Sequence, residues 1–348
     1  GYSTPEWSQL VALMGLIVSK AGLGKDVYEV ANFAFYRIRG GLGIATVAAN
    51  AIFASITGSS IASASVFTRV AIPEMRRFGY QPRFTVGVVA GSSVLGMLIP
   101  PSAMLIIYAI VTEQSVGRMF IAGIIPGILL AVCFGILILF LAYAFPKYVG
   151  GQDSADIAAQ DWANLSWLDL VKKIIPVIVL VLVVLGGIYG GVFTPTEAGA
   201  AGSLAALVIA LLKKNFSWRD LWEVLVETGY ITATILFLIT TASMYSRMLG
   251  VAALPTVFGE WLTGFDLTLI QLMVIYVLLM VALGTIIETA SIILIVVPLF
   301  LVVLDAFNVD LVWFGIITVV GAEIGLLTPP LGISCFVIKS AINDPTVS

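Results

Sequence analysis

Histidine is missing from this sequence of 348 residues, and charge is scarce: Asp, Glu, Lys and Arg make up 11% of it, where soluble domains carry about 25%. The first absence removes histidine triads, HExxH zinc sites and imidazole proton relays. There is no Gly-x-x-x-x-Gly-Lys-Ser/Thr loop to cradle a nucleotide, no Gly-x-Gly-Asp motif and no metal-ligand cluster, so the reading is not an enzyme. The two cysteines, Cys133 and Cys335, lie in separate apolar runs with no second thiol nearby; such isolated thiols read as inert rather than as a disulfide or metal pattern. Net charge is only −3 and the basic residues are scattered, which leaves no footprint for nucleic acid.

What is present is apolar. Hydrophobic residues make up 60% of the chain and mean hydropathy is +1.10, which describes an all-α polytopic membrane protein. The start, Gly1-Tyr-Ser-Thr-Pro-Glu6, has neither the basic region nor the cleavage site of a signal peptide. The first apolar stretch, Trp7 to Val18, is short for a span of about 20 residues, and the expectation is a chain that begins partway through a longer protein.

Two apolar runs are interrupted in the same way, by Gly96-Met-Leu-Ile-Pro100-Pro101 and Gly325-Leu-Leu-Thr-Pro329-Pro330. A proline pair deletes the donors that would bond the carbonyls four residues back, freeing those of Gly96 and Met97, and of Gly325 and Leu326. Unpaired backbone at membrane depth persists only where protein, water or an ion satisfies it. A cation suits such oxygens.

The positive-inside rule orders the spans. Basic residues flank Gly40 to Arg76 on both sides, so this segment enters and leaves the cytoplasmic face as a re-entrant hairpin, turning at Thr57-Gly-Ser-Ser60. Residues 84–111 form a broken span, 119–145 return, and 146–173 make a cytoplasmic connector that closes a first half, 1–145. Scaffold spans and an outer loop follow over 174–266, with loop residues 254–266 lacking Lys and Arg. The final segment, 267–348, holds a second hairpin (267–304), entered from outside, and a second broken span (311–338). Every basic residue except Arg69, Arg118 and Arg247 then lies on the cytoplasmic side. The interval 325 − 96 is 229, and the proline pairs keep that interval. Four full spans between the breaks invert the second half. Inverted repeats with discontinuous helices meeting at the midplane are the pattern of secondary transporters.

The residues Thr57-Gly-Ser-Ser-Ile-Ala-Ser63, Ile72-Pro-Glu-Met-Arg-Arg-Phe-Gly-Tyr80, the first proline break, Phe193-Thr-Pro-Thr-Glu-Ala198 and Gly325-Leu-Leu-Thr-Pro-Pro-Leu-Gly332 together resemble the large membrane subunit of TRAP transporters, the DctM-type, tripartite ATP-independent family. The resemblance spans essentially the whole chain. It implies sodium-driven uptake of small organic acids such as C4-dicarboxylates or sialic acid across a bacterial inner membrane, by an elevator motion of hairpins and broken helices against a scaffold. It further implies a DctQ-type small membrane subunit and a DctP-type periplasmic binding protein as partners, and no cofactor beyond sodium as coupling ion. The alternatives are a stand-alone sodium/dicarboxylate carrier needing no binding protein, and a channel, which would use similar carbonyls without a substrate-sized pocket.

Candidate sodium ligands are Thr57, Ser59, Ser60, Gly96, Met97, Gly284, Glu288, Gly325 and Leu326. Hydroxyl and carbonyl oxygens suit a hard monovalent cation, and an ionisable group at membrane depth, here Glu288, marks a functional position. Substrate candidates are Ser59, Ser60, Ser102, Thr289 and Thr328, since N–H groups at the start of a returning helix attract a carboxylate. Close helix packing by Gly58, Ala62 and the serines is the competing role. Where relatives commonly have Asp near Glu288 and Asn at Gly321, this chain departs from the pattern. Glu323 reads as orienting the second break and ranks below Glu288; Glu197 reads as a helix cap. Trp7, Trp218, Trp222 and Trp261 belong to an interfacial belt.

Overall fold

The computed structural model describes residues 4–151, 167–213, 216–265, 267–330 and 332–342. Among the described residues every regular element is a helix, and the strand-like geometry is one isolated bridge between Tyr80 and Gly150. Among the described residues four helices are long and apolar enough to cross a membrane: Val116–Ala144, Pro195–Leu212, Trp218–Val251 and Thr289–Ala306. The pair Pro82–Leu98 and Ala103–Val111, bent by 42°, passes the same test when counted together as one span. Most of the connector expected at 146–173 lies outside the described residues.

Two helical hairpins are closed by local chemistry. Gly41–Thr57 ends at Gly58, whose φ of +59° only glycine adopts without strain. Ser59 then caps Ser60–Arg77 by accepting from the Ala62 N–H. In the other hairpin Thr268 and Gln271 form a capping box at the start of Leu269–Gly284, and Glu288 occupies the cap position of Thr289–Ala306. Each hairpin is followed by an interrupted helix. In the first, Ile99–Ser102 are unwound between short helices; in the second, Leu311–Leu327 is separated from Ile333–Ile342. The Pro100–Pro101 and Pro329–Pro330 peptides are both cis.

The hydrophobic core gathers around these units. Tyr276 of the second hairpin packs its ring 4.8 Å from Phe300 and 4.4 Å from Phe314 and shares a 2.9 Å hydrogen bond with Thr318. Tyr108, from the outer arm of the first break, donates to the Leu311 carbonyl at 2.7 Å. Thr4–Lys20 packs on Pro195–Leu212, on Trp218–Val251 and on the first hairpin.

Two helices were not expected. Residues 254–266 read as an outer loop, yet Leu254–Thr263 is helical, started by Pro255 in its first turn and held by Phe258 against Phe300 at 5.4 Å. Leu23–Phe35 forms a helix fastened by ion pairs of Lys213 with Asp26 and Lys173 with Glu29. Nearby, Lys20 pairs with Glu223 at 2.6 Å. Glu197 caps Pro195–Leu212, with Thr194, in a complete capping box.

Candidate functional site

Each hairpin packs against the interrupted helix that follows it, backbone against backbone. A Cβ placed on Gly58 would lie 2.3 Å from the Pro101 carbonyl oxygen, and one on Gly96 would lie 2.8 Å from the Ser59 carbonyl. The Ala103 N–H donates to the Gly58 carbonyl at 3.3 Å. In the second seam a Cβ on Gly325 would meet the Gly284 Cα and the Val281 carbonyl oxygen at 2.6 Å. No side chain fits into either contact; the first tip lies on the unwound Ile99–Ser102 turn, and in the second unit two helix ends meet at Gly284 and Gly325.

Local donors settle part of what the prolines release. The Ser102 hydroxyl donates to the Met97 carbonyl and accepts from the Leu105 N–H, so it caps the second arm and answers one freed oxygen. The Thr328 N–H bonds the Gly325 carbonyl at 2.9 Å, and the Thr328 hydroxyl donates to Ile324 at 2.7 Å. Thr57 donates to the Phe53 carbonyl at 3.1 Å. Each of these hydroxyl oxygens keeps lone pairs to offer.

The two seams approach one another through a carboxylate. Thr289, first residue of the returning arm of the second hairpin, donates to Glu323 Oε1 at 3.0 Å. Glu323 is 1% exposed. The Ser60 hydroxyl, from the first hairpin, lies beside the same carboxyl, although short of hydrogen-bond geometry. Ser60 of the first hairpin thus comes to Thr289 and Glu323, which themselves lie 34 positions apart in the chain.

A cavity of about 750 Å³ opens beside the tips, lined there by Thr57, Gly58, Ser59, Met97 and Glu288. Away from the tips its walls carry polar residues of three helices. Ser65 and Arg69 face it from the first hairpin, Ser19 from Thr4–Lys20, and Glu227, Tyr230 and Thr234 from Trp218–Val251. Gly325, Leu326, Ser102 and Thr328 are not among its lining residues. Groups of three or more His, Cys, Asp or Glu able to hold a metal ion are absent among the described residues.

Residues 9–347 match the family model described as the tripartite ATP-independent periplasmic transporter, DctM component. The chain belongs to the DctM family. It is similar to the C4-dicarboxylate TRAP transporter large permease protein DctM of Pseudomonas aeruginosa, 34% identical over 96% of this chain and 76% of that protein. The sialic acid TRAP transporter large permease protein SiaM of Vibrio cholerae is 31% identical over 96% of this chain and 76% of its own length. The isethionate TRAP transporter permease protein DctMQ of Oleidesulfovibrio alaskensis is 29% identical over 94% of this chain and 51% of that protein. As a DctM-family permease the chain is a multi-pass inner-membrane protein and a transport subunit, not an enzyme.

In this DctM-family chain the structure draws attention to two residues outside the candidate ligand sets. Arg69, left without a place by the charge map, faces the cavity and makes no hydrogen bond or ion pair among the described residues. Its spacing gave the signal: Ala62, Ser65 and Arg69 fall three and four apart on one helix face. Glu323 is the other, at the junction of the hairpins rather than at the edge of a break.

Proposed function

We propose that this DctM-family permease is the membrane engine of a secondary active transporter that takes up small organic acids with sodium. One observation carries the reading: the first hairpin tip closes on an unwound, proline-interrupted turn beside a cavity of substrate size that Glu288 of the second hairpin also lines. The oxygens of Thr57, Ser59, Ser60, Gly96 and Met97 in one seam, and of Gly284, Glu288, Gly325 and Leu326 in the other, supply ligands for sodium as co-substrate. The N–H groups at the start of Ser60–Arg77 carry the positive end of a helix dipole toward the cavity, which favours a carboxylate beside Ser59. Arg69 gives the same anion a full positive charge on its way along the wall.

The hairpin and break units form an inverted repeat in this reading. They move as an elevator against the scaffold helices Thr4–Lys20 and Trp218–Val251, whose polar residues line the opposite wall. The named relatives transport C4-dicarboxylates and sialic acid, and a carboxylate is common to both. A small DctQ-type subunit and a periplasmic DctP-type binding protein complete the system, as the fused name of the isethionate relative suggests for the small subunit.

The test is uptake of labelled C4-dicarboxylate and sialic acid into proteoliposomes containing this chain and the small subunit, with sodium and the binding protein each supplied or withheld. Accumulation that needs both supports the reading. Accumulation with sodium alone would make the chain a stand-alone carrier, and flux that neither saturates nor follows sodium would make it a channel.

A further inference from the structure

A second cavity, of about 670 Å³, opens where two helices begin side by side: Val116–Ala144 and Leu311–Leu327, the latter being the second interrupted helix. It shares no lining residue with the cavity beside the hairpin tip. Its mouth carries unlike charges. Arg118 and Asp310 both line it without pairing with each other, and the Arg118 side chain has no hydrogen bond or ion pair among the described residues. Asp310 uses Oδ1 to accept from the Val312 and Trp313 N–H groups as the helix cap, which leaves Oδ2 open.

Below the mouth the lining turns apolar, with Ile121 and Pro126 on one helix and Ile316 and Ile317 on the other. From Arg118 to Pro126 the groove descends roughly 12 Å at 1.5 Å per residue, whereas the headgroup layer on each side of a bilayer is about 5–7 Å deep. The floor therefore reaches hydrocarbon. Ile121 and Ile125, one turn apart on the same helix, are exposed, as lipid-facing residues are. Charge at one end and an apolar trough beyond it is the outline of an amphiphile.

We propose that this groove is a phospholipid site, selective for a headgroup that joins a phosphate to a primary ammonium, as in phosphatidylethanolamine. Arg118 takes the phosphate through the charge-assisted hydrogen bonds that a guanidinium makes to oxyanions, and the positive end of Val116–Ala144 favours the same anion. Asp310 takes the ammonium through Oδ2. An acyl chain lies on the isoleucine floor, and Trp313, exposed at the mouth, sits at headgroup level, where indole rings concentrate. An anionic lipid without an amine would satisfy Arg118 and leave Asp310 facing a phosphate. A soluble protein docked outside the bilayer would meet the two charges and leave the floor uncovered. The charge map puts the starts of both helices on the outer face, so the lipid belongs to the outer leaflet. It bridges the two halves of the chain beside the hydrogen bond from Tyr108 to Leu311. The inference needs a membrane-spanning chain and does not depend on sodium coupling.

The experiment is native mass spectrometry of the purified chain released from detergent micelles doped with phosphatidylethanolamine, phosphatidylglycerol or phosphatidylcholine, for the wild type, Arg118→Gln and Asp310→Asn. Asparagine keeps the helix cap while removing the charge. The wild type should retain phosphatidylethanolamine severalfold more than either other lipid. Arg118→Gln should lower that retention severalfold, and Asp310→Asn should erase the preference over phosphatidylglycerol. Equal retention of the three lipids by the wild type, or a preference and retention unchanged in either variant, would overturn the site. Should Asp310→Asn fail to fold, Arg118→Gln decides by its retention of phosphatidylethanolamine. Unchanged lipid retention together with weaker association of a periplasmic binding protein in the variants would also overturn it, and would assign the two charges to protein docking.

Discussion

Gly58→Ala is the sharpest probe of the first seam. The added methyl would sit 2.3 Å from the Pro101 carbonyl oxygen, a backbone atom that cannot rotate away, and on a residue with φ of +59°. Holding alanine in the left-handed region costs about 1 kcal/mol. Forcing tip and break apart to an ordinary contact resembles overpacking, about 1–3 kcal/mol. The closed seam is then disfavoured by roughly 2–4 kcal/mol, or about 30- to 1,000-fold in its equilibrium with an opened tip, at about 1.4 kcal/mol per tenfold. The Ala103-to-Gly58 hydrogen bond goes with it. Initial rates of sodium-driven uptake, with the Tm of the same preparation, measure the effect. Uptake should fall steeply while the Tm moves by a few degrees. Gly87→Ala is the control, because a Cβ there meets nothing within 4 Å. Wild-type uptake and sodium dependence in Gly58→Ala would refute the claim that the tip must close on the break.

Three more substitutions probe neighbouring parts. Ser102→Ala removes the donor to Met97 and the cap of Ala103–Val111, and should cost about 1–3 kcal/mol in chemical or thermal unfolding. Arg69→Gln should raise the KM for an organic acid severalfold with little change in maximal rate and flatten its dependence on ionic strength; identical KM values at low and high salt in both proteins would remove Arg69 from the substrate path. Lys213→Met strands Asp26, whose side chain is 15% exposed, and should destabilise the chain by about 1–2 kcal/mol. The double variant Lys213→Met/Asp26→Asn should recover most of that loss in the same Tm assay.

The features readable from sequence are those with a local cause. The turn at Gly58 and Ser59 follows from a glycine and a capping serine inside an apolar run, and both interruptions follow from adjacent prolines. The capping box at Glu197 was visible for the same reason. What escaped depends on partners distant in the chain. Glu323 reads as a residue that orients the nearby break, whereas the structure sets it against Thr289 and Ser60. Arg69 looked like an exception to a charge rule because that rule counts residues near span ends and knows nothing of cavities. The helix Leu254–Thr263 was read as loop because its missing positive charge spoke about sidedness, while its shape is set by Phe258 meeting Phe300. The sidedness rule gives Lys213 and Lys173 a place but not their partners, and each fastens Leu23–Phe35.

The bare contact between Gly284 and Gly325 also limits how such a machine can be altered. A joint made of naked main chain offers no methyl group to trim and no ring to swap, so it admits one geometry or none. Selectivity for a new cargo has to be written elsewhere, on facing surfaces such as Tyr230 and Thr234, where atoms can be exchanged gradually. Engineering of this permease would therefore leave the glycines alone and work on the opposite wall.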